Sequence, residues 1–262
     1  MSQESGALVP ERRRPTPRSE VTLLGIRFDR LSRGEVHALL TSAFGRREAW
    51  KIFIANAHTV NLAWTDAAFR RVLNEADLLL NDGTGVGLAS RMAGRPFPDN
   101  LVGTDLVPEL CDRAMSRGVG VFLLGGLPGV PERAAERLGR QFPSLRIDGA
   151  HHGHFASSEN SRIVEAINRS GAGVLLVAMG NPLQEIWIHE NAARLRCDLC
   201  IGVGGYIDHL AGRLNRAPLW MRRAGIEWLH ILMSQPHKWR RYVLGNPLFL
   251  ARALASRFGW GP

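Results

Sequence analysis

The 262-residue chain has three cysteines, no apolar run long enough for a membrane span, and a single acidic residue in its last fifty positions. Each shortage excludes something. Three thiols cannot build a disulfide framework, which agrees with a reducing, cytoplasmic setting. A membrane helix needs roughly 18–20 apolar residues, whereas the longest buried-looking run, Val174 to Met179, suits a strand. Residues 1–20 hold Pro10, Pro15, Pro17 and the run Arg12-Arg13-Arg14 but no apolar signal core, so they read as a flexible leader. Apolar content of 45% and charge of 22% are ordinary globular values and exclude a disordered chain.

The formal net charge is +9, and its position matters more than its size. Nine basic residues (Arg213, Arg216, Arg222, Arg223, Lys238, Arg240, Arg241, Arg252, Arg257) face Glu227 alone after residue 212, a local net of +8. The first 212 residues carry 24 basic and 23 acidic groups, a net of +1. Four of the seven tryptophans, Trp220, Trp228, Trp239 and Trp260, also lie in this tail. The expected division is a leader over 1–20, a near-neutral core over 21–212 and a basic, Trp-rich helical appendage over 213–262.

Short apolar runs alternate with amphipathic stretches, and no internal repeat is evident. Strands are expected at Val21–Ile26, Lys51–Ala55, Leu78–Leu80, Val119–Leu124, Leu145–Asp148, Val174–Met179 and Leu199–Val203. Helices are expected at about Arg33–Phe44, Asp66–Ala76, Gly85–Met92, Asp105–Ser116, Val130–Gln141, Glu159–Asn168 and Leu183–Ala193. Continuous apolar strands separated by helices predict an α/β fold with a parallel sheet flanked by helices on both faces. Beyond Gly212 the pattern becomes helices interrupted by Pro218, Pro236 and Pro247.

Ligands of such sheets bind at the carboxyl ends of the strands, so the residues after each strand carry the functional question. Five ends are polar or glycine-rich: Asn56-Ala57-His58-Thr59, Asn81-Asp82-Gly83-Thr84-Gly85, Gly125-Gly126-Leu127-Pro128-Gly129, Gly180-Asn181-Pro182-Leu183-Gln184-Glu185, and Gly202-Val203-Gly204-Gly205-Tyr206-Ile207-Asp208. Gly125 to Gly129 opens a helix and offers N–H groups to a phosphate; glycines at such a turn equally serve to join strand to helix. The run lacks both the dinucleotide and the Walker fingerprints. Asp82 at a sheet rim is reachable by substrate, and an aspartate there also serves as a turn or helix cap. Gln184 and Glu185 fall in a first helical turn, where the dipole favours a carboxylate, and Asp208 also suits a cap. His151, His152 and His154 lack the accompanying acids or thiols of a metal site. Cys197 and Cys200 form one CxxC without a second pair, inside an apparent strand, and read as structural thiols.

Taken together, these segments resemble the WecG/TagA/CpsF family of bacterial glycosyltransferases from about Val21 to Tyr242. The resemblance rests on ten ordered motifs: Asn56-Ala57; Ala76-Asp77 with Asp82-Gly83; Val102-Gly103-Thr104-Asp105-Leu106; Phe122 to Gly126; His152-Gly153-His154-Phe155; Met179 to Glu185; Gly202 to Gly205; Asp208; Arg216-Ala217-Pro218; and Glu227-Trp228-Leu229. It implies a Rossmann-like core and inverting, metal-independent transfer, with no cofactor, from a UDP-sugar to an undecaprenyl-pyrophosphate-linked saccharide. It also implies action at the cytoplasmic face of the membrane, in cell-surface or exopolysaccharide synthesis. Asp82 would be the base, Asn56 and Asp105 sugar-positioning groups, and Gln184 and Asp208 donor-pocket groups beside Gly125, Gly126 and Glu185. Lys238, Arg240 and Arg241 would meet the diphosphate. The chain departs from the family pattern at Ile54, where Thr is common, at Asn100, where Arg is frequent, and at His230-Ile231, where Tyr-Arg often follows the Glu-Trp-Leu. The donor sugar, ManNAc-type or glucose, is left open.

Basic residues interleaved with Trp suit an anionic bilayer, nucleic acid or a solvated helical face. A lipid-linked substrate favours the membrane, and the near-neutral core argues against nucleic acid. A nucleotide-binding oxidoreductase is the alternative for the βαβ pattern, opposed by the missing GxGxxG. The sequence is compatible with a homo-oligomer.

Overall fold

The computed structural model describes residues 18–257; Trp260 and residues 1–17 of the expected leader lie outside them. Its first elements are β1 (Glu20–Leu23) and β2 (Ile26–Asp29), paired antiparallel with Leu23 opposite Ile26. One strand was expected over Val21–Ile26. The chain instead reverses at Leu24 and Gly25, both with positive φ (52° and 77°), the conformation a tight two-residue hairpin requires. Leu24 hid the turn because leucine rarely adopts that region. Arg18 ties the start of the chain to the hairpin, its Nη1 lying 3.2 Å from Asp29 Oδ1, and Asp29 Oδ2 accepts the Leu79 N–H.

The main sheet contains β3 (Trp50–Ala55), β4 (Leu78–Asn81), β5 (Val121–Gly125), β6 (Ile147–His151), β7 (Val174–Ala178) and β8 (Leu199–Gly202). Their order is β4-β3-β8-β7-β5-β6, and every neighbouring pair is parallel. The continuous apolar runs have the expected cause, since β4, β5, β7 and β8 are buried at every position. One face packs α2 (Ala57–Thr65), α3 (Ala67–Asn74), α4 (Thr84–Met92), α7 (Asn160–Ser170) and α8 (Leu183–Asn191). The other packs α1 (Arg33–Ser42), α5 (Gly103–Ser116), α6 (Val130–Gln141) and α9 (Tyr206–Leu210). The fold is the α/β parallel sheet flanked by helices that the sequence pattern predicts.

From β5 the chain leaves through α6 toward β6, and from β7 it leaves through α8 toward β8, on the opposite face. Adjacent strands whose connections diverge open a crevice at their carboxyl ends. After α9 come α10 (Leu219–Arg223), α11 (Glu227–Ser234), a π-helical turn over Arg240–Gly245 and α12 (Asn246–Ser256). This last helix returns to the sheet: Phe249 is fully buried on the face that packs α2, α3 and α4, its ring 3.9 Å from where a Cβ on Gly85 would lie. Arg252 donates to Asn61 Oδ1 at 2.8 Å and lies over the Trp64 ring, which fixes α12 against α2.

Candidate active site

Asn56 and Asp82 stand at the ends of the adjacent strands β3 and β4, and the sequence explains how they meet. Helix α2, which the periodicity did not predict, begins at Asn56. The Asn56 Oδ1 accepts the N–H groups of His58 (3.1 Å) and Thr59 (3.3 Å), satisfying donors at the helix start. With its oxygen committed to the cap, the amide turns its Nδ2 outward, and Nδ2 donates to Asp82 Oδ2 at 3.3 Å. Asp82 itself is anchored by its N–H on Ala55 O, and the next N–H, of Gly83, reaches Asn100 Oδ1 at 2.8 Å. Asn100, one of the departures from the family pattern, therefore supports the loop that carries the carboxylate.

Burial pushes the Asp82 carboxyl above its ordinary range, while Asn56 and Arg241 pull it down and Glu227 and Asp105 add to the rise. A partly desolvated carboxylate with one weak donor is a competent proton acceptor. His58 lies in the same field. Burial, then Arg241 and Lys238, push its imidazole down to about 4, so it is neutral at physiological pH. The sequence reading gave His58 and Glu227 no site role, although both lie in segments it singled out, Asn56-Ala57-His58-Thr59 and Glu227-Trp228-Leu229: a histidine two residues past a cap and a lone tail acid show which charges they face only once the chain is packed.

A cleft of about 780 Å³ lies at the crevice between β5 and β7 and extends past β8. Gly126, Gly180 and Gly204 line it at the three strand ends; Phe155, Met179, Leu183 and Trp187 add apolar and aromatic surface, and Asp208 and Lys238 add charge. Gly125 is needed at its position for a packing reason. Its φ is +143°, and a Cβ there would sit 2.3 Å from the Ala178 carbonyl oxygen. Gly125 thus lets β5 and β7 approach, and Gly126 meets the cleft.

Of the other expected residues, Gln184 and Glu185 are buried beneath the cleft surface (1% and 0% exposed). Asp208 lines the cleft, paired with Arg213 Nη1 at 3.0 Å. Lys238 is held below its usual range by burial and then Arg241, with Asp208 opposing. Asp105 faces the tail, its Oδ1 2.8 Å from Arg216 Nη2 and 3.8 Å from Arg222 Nη1. Arg241 acts on Asp82 and on Lys238 alike, linking the Asn56–Asp82 corner to the cleft. Arg240 is exposed, with its guanidinium over the Trp239 ring.

The histidine motif splits. His151 stacks against His152 and His154 lines the cleft; among the described residues no three or more His, Cys, Asp or Glu converge as a metal site. Cys197 and Cys200 are buried and not joined in a disulfide, with sulfurs in hydrogen-bond contact at 3.1 Å.

Comparison with known proteins then decides the family. Residues 21–261 match the glycosyl transferase WecG/TagA/CpsF family. The chain belongs to that family. As a WecG/TagA/CpsF glycosyltransferase it is 30% identical over 219 residues to an N-acetylglucosaminyldiphosphoundecaprenol N-acetyl-beta-D-mannosaminyltransferase of Bacillus spizizenii, covering 84% of each chain. Enzymes of the same name from two Staphylococcus aureus strains, MW2 and COL, are 30% and 31% identical over 243 residues, covering 91% of this chain and 94% of each relative. For this glycosyltransferase, sheet, crevice and carboxylate corner lie within the matched region.

Proposed function

We propose that this glycosyltransferase moves a hexose from a UDP-sugar to an undecaprenyl-diphosphate-linked saccharide by one inverting displacement that needs no metal. The observation that carries the reading is the Asn56–Asp82 pair, a carboxylate of raised proton affinity set beside the cationic end of a cleft. The acceptor hydroxyl oxygen attacks the anomeric carbon, the bond from that carbon to the diphosphate breaks, and the hydroxyl proton passes to Asp82. One carboxylate suffices, because the leaving group departs as UDP without protonation by a partner acid of the kind glycosidases use. Its charge needs fixed donors or cations; Gly126, Lys238 and Arg241 are the groups at hand, with Asp208 on the nucleotide side. Asn56 holds Asp82, and neutral His58 offers a further polar contact to the sugars.

The relatives are named as N-acetylmannosaminyltransferases acting on N-acetylglucosaminyldiphosphoundecaprenol, which supports a lipid-linked acceptor and a ManNAc-type donor, with glucose as the competing donor. Among the described residues no helix is long and apolar enough to cross a membrane. Contact with an anionic inner membrane surface is assigned to the region after Arg213, where Trp220 is 64% exposed and Met233 74%. Cell-envelope or exopolysaccharide synthesis follows from such an acceptor.

A panel of UDP-sugars with a synthetic lipid-pyrophosphate acceptor, run with and without EDTA, tests the reading. One sugar should be transferred equally in both, and Asp82→Asn should lower turnover by about 10²–10⁴-fold, the usual range for general-base catalysis. Wild-type turnover by that variant removes Asp82 from the mechanism, and loss of activity in EDTA removes the metal-free displacement.

A further inference from the structure

Glu185 lies in the first turn of α8 with no exposed surface. A helix start favours a carboxylate, yet burial dominates and pushes its carboxyl up to about 7. No cation among the described residues pairs with it. Its Oε1 accepts from Asn181 Nδ2 at 2.5 Å and from Gln184 Nε2 at 2.8 Å, while Oε2 is buried without a partner. A buried, unpaired acid costs stability, and an uncharged side chain of similar volume packs at lower cost. Packing alone therefore does not account for it.

Its hydrogen bonds do. Gln184 gives Nε2 to Glu185 and receives the Gly204 N–H on Oε1 at 3.0 Å. The amide cannot flip, since reversal would set its oxygen against the carboxylate and its NH₂ against an N–H. Gly202 leaves room for this arrangement, because a Cβ there would lie 3.0 Å from Gln184 Nε2. The relay Asn181–Glu185–Gln184–Gly204 thus runs beneath the cleft, from the loop after β7 to the loop after β8. Gly180 and Gly204 form the cleft wall directly above it.

We propose that Glu185 is a positioning residue for donor binding, locking the loops after β7 and β8 into one wall so that the turn from Gly204 to Asp208 is preformed for the nucleotide. Preformed loops avoid an ordering cost on binding. The inference rests on reading this cleft as the donor site.

The test is steady-state kinetics of the full chain with the donor found in the panel and the lipid-pyrophosphate acceptor. Glu185→Gln keeps the volume but replaces an acceptor of two charge-assisted hydrogen bonds by an amide. The donor KM should rise about tenfold, the loss expected from one such bond, with kcat within about twofold of wild type. The melting temperature at pH 8 should equal or exceed that of the wild type, since a buried charge is gone. Gln184→Met breaks the relay from its other end and should give the same rise in KM, even where Glu185→Gln fails to fold. Unchanged donor KM in both folded variants overturns the positioning role, as does a fall in kcat matched by a lower melting temperature, the mark of a purely structural residue. Wild-type chain that shows no saturation with any UDP-sugar overturns the donor reading itself and this inference with it. An active wild type with unaffected variants overturns the inference alone.

Discussion

Arg216 reaches back from the segment after β8 to Asp105 at the start of α5, with Nη2 2.8 Å from Oδ1. Arg222 approaches the same oxygen at 3.8 Å. An acid expected to position sugar is thereby engaged by two tail arginines, and the tail is seated beside Asp82. Asp105→Ala should release that seat at a cost of about 1 kcal/mol, the scale of a partly exposed charge-assisted bond. Limited proteolysis should then cut faster between residues 213 and 245; an unchanged cleavage rate would show that the ion pair does not hold the segment.

Gly125→Ala should destabilise the fold by about 3 kcal/mol or more, from positive-φ strain and overpacking together. A Cβ at 2.3 Å from the Ala178 oxygen forces β5 and β7 apart. Urea denaturation gives the number, and a loss under 1 kcal/mol would mean that the strands part at little cost.

The neutral state of His58 depends on burial and on two cations, Arg241 and Lys238. Arg241→Gln removes one of them, so the imidazole should titrate above its wild-type value of about 4. NMR of the ring protons across pH 3–7 measures it. A titration curve that does not move would place Arg241 too far from α2 to act in the site.

Glu185 makes stability fall as pH rises. Its carboxyl ionises near 4.5 when unfolded and near 7 in the fold. Below the lower value both states are protonated. Between the two the unfolded chain loses its proton first, so the folded state is progressively disfavoured. Above the upper value the full penalty, roughly 3 kcal/mol, is present. Glu185→Gln should flatten that part of the stability–pH curve; an identical slope in wild type and variant would contradict the buried ionisation.

Trp220 and Met233 are exposed apolar groups among basic residues, while Phe249 and Ala253 of α12 are core. Deleting everything after Arg213 would therefore strip the core as well as the surface. The pair Trp220→Ser with Met233→Ser leaves the core whole and should reduce co-sedimentation with anionic vesicles several-fold, with urea stability unchanged. Equal binding by the pair would move the membrane contact elsewhere.

Hydrophobic pattern alone was enough for the sheet, because strands buried on both faces read as unbroken apolar runs such as Val174 to Ala178. The rule that ligands of such sheets bind after the strands directed attention to Asn56, Asp82 and Gly126, which the fold does set just past the ends of β3, β4 and β5. The pattern failed at Leu24, whose positive φ contradicts its propensity, and at α2, whose opening Asn56-Ala57-His58-Thr59 reads as a loop until the cap is seen. The tertiary structure decided what no spacing encodes. Strand order sets Asn56 beside Asp82, 26 residues apart in the chain. Burial, which depends on the whole packed surround, turns Glu185 from a dipole-favoured acid at a helix start into an unpaired group beneath the cleft. The return of α12 to the sheet, through Phe249 and Arg252, brings Arg241 to the carboxylate corner. Local sequence determines which residues face out of a strand or begin a helix, since those preferences act over a few neighbours. Which distant charges share one low-dielectric space is a property of the assembled chain.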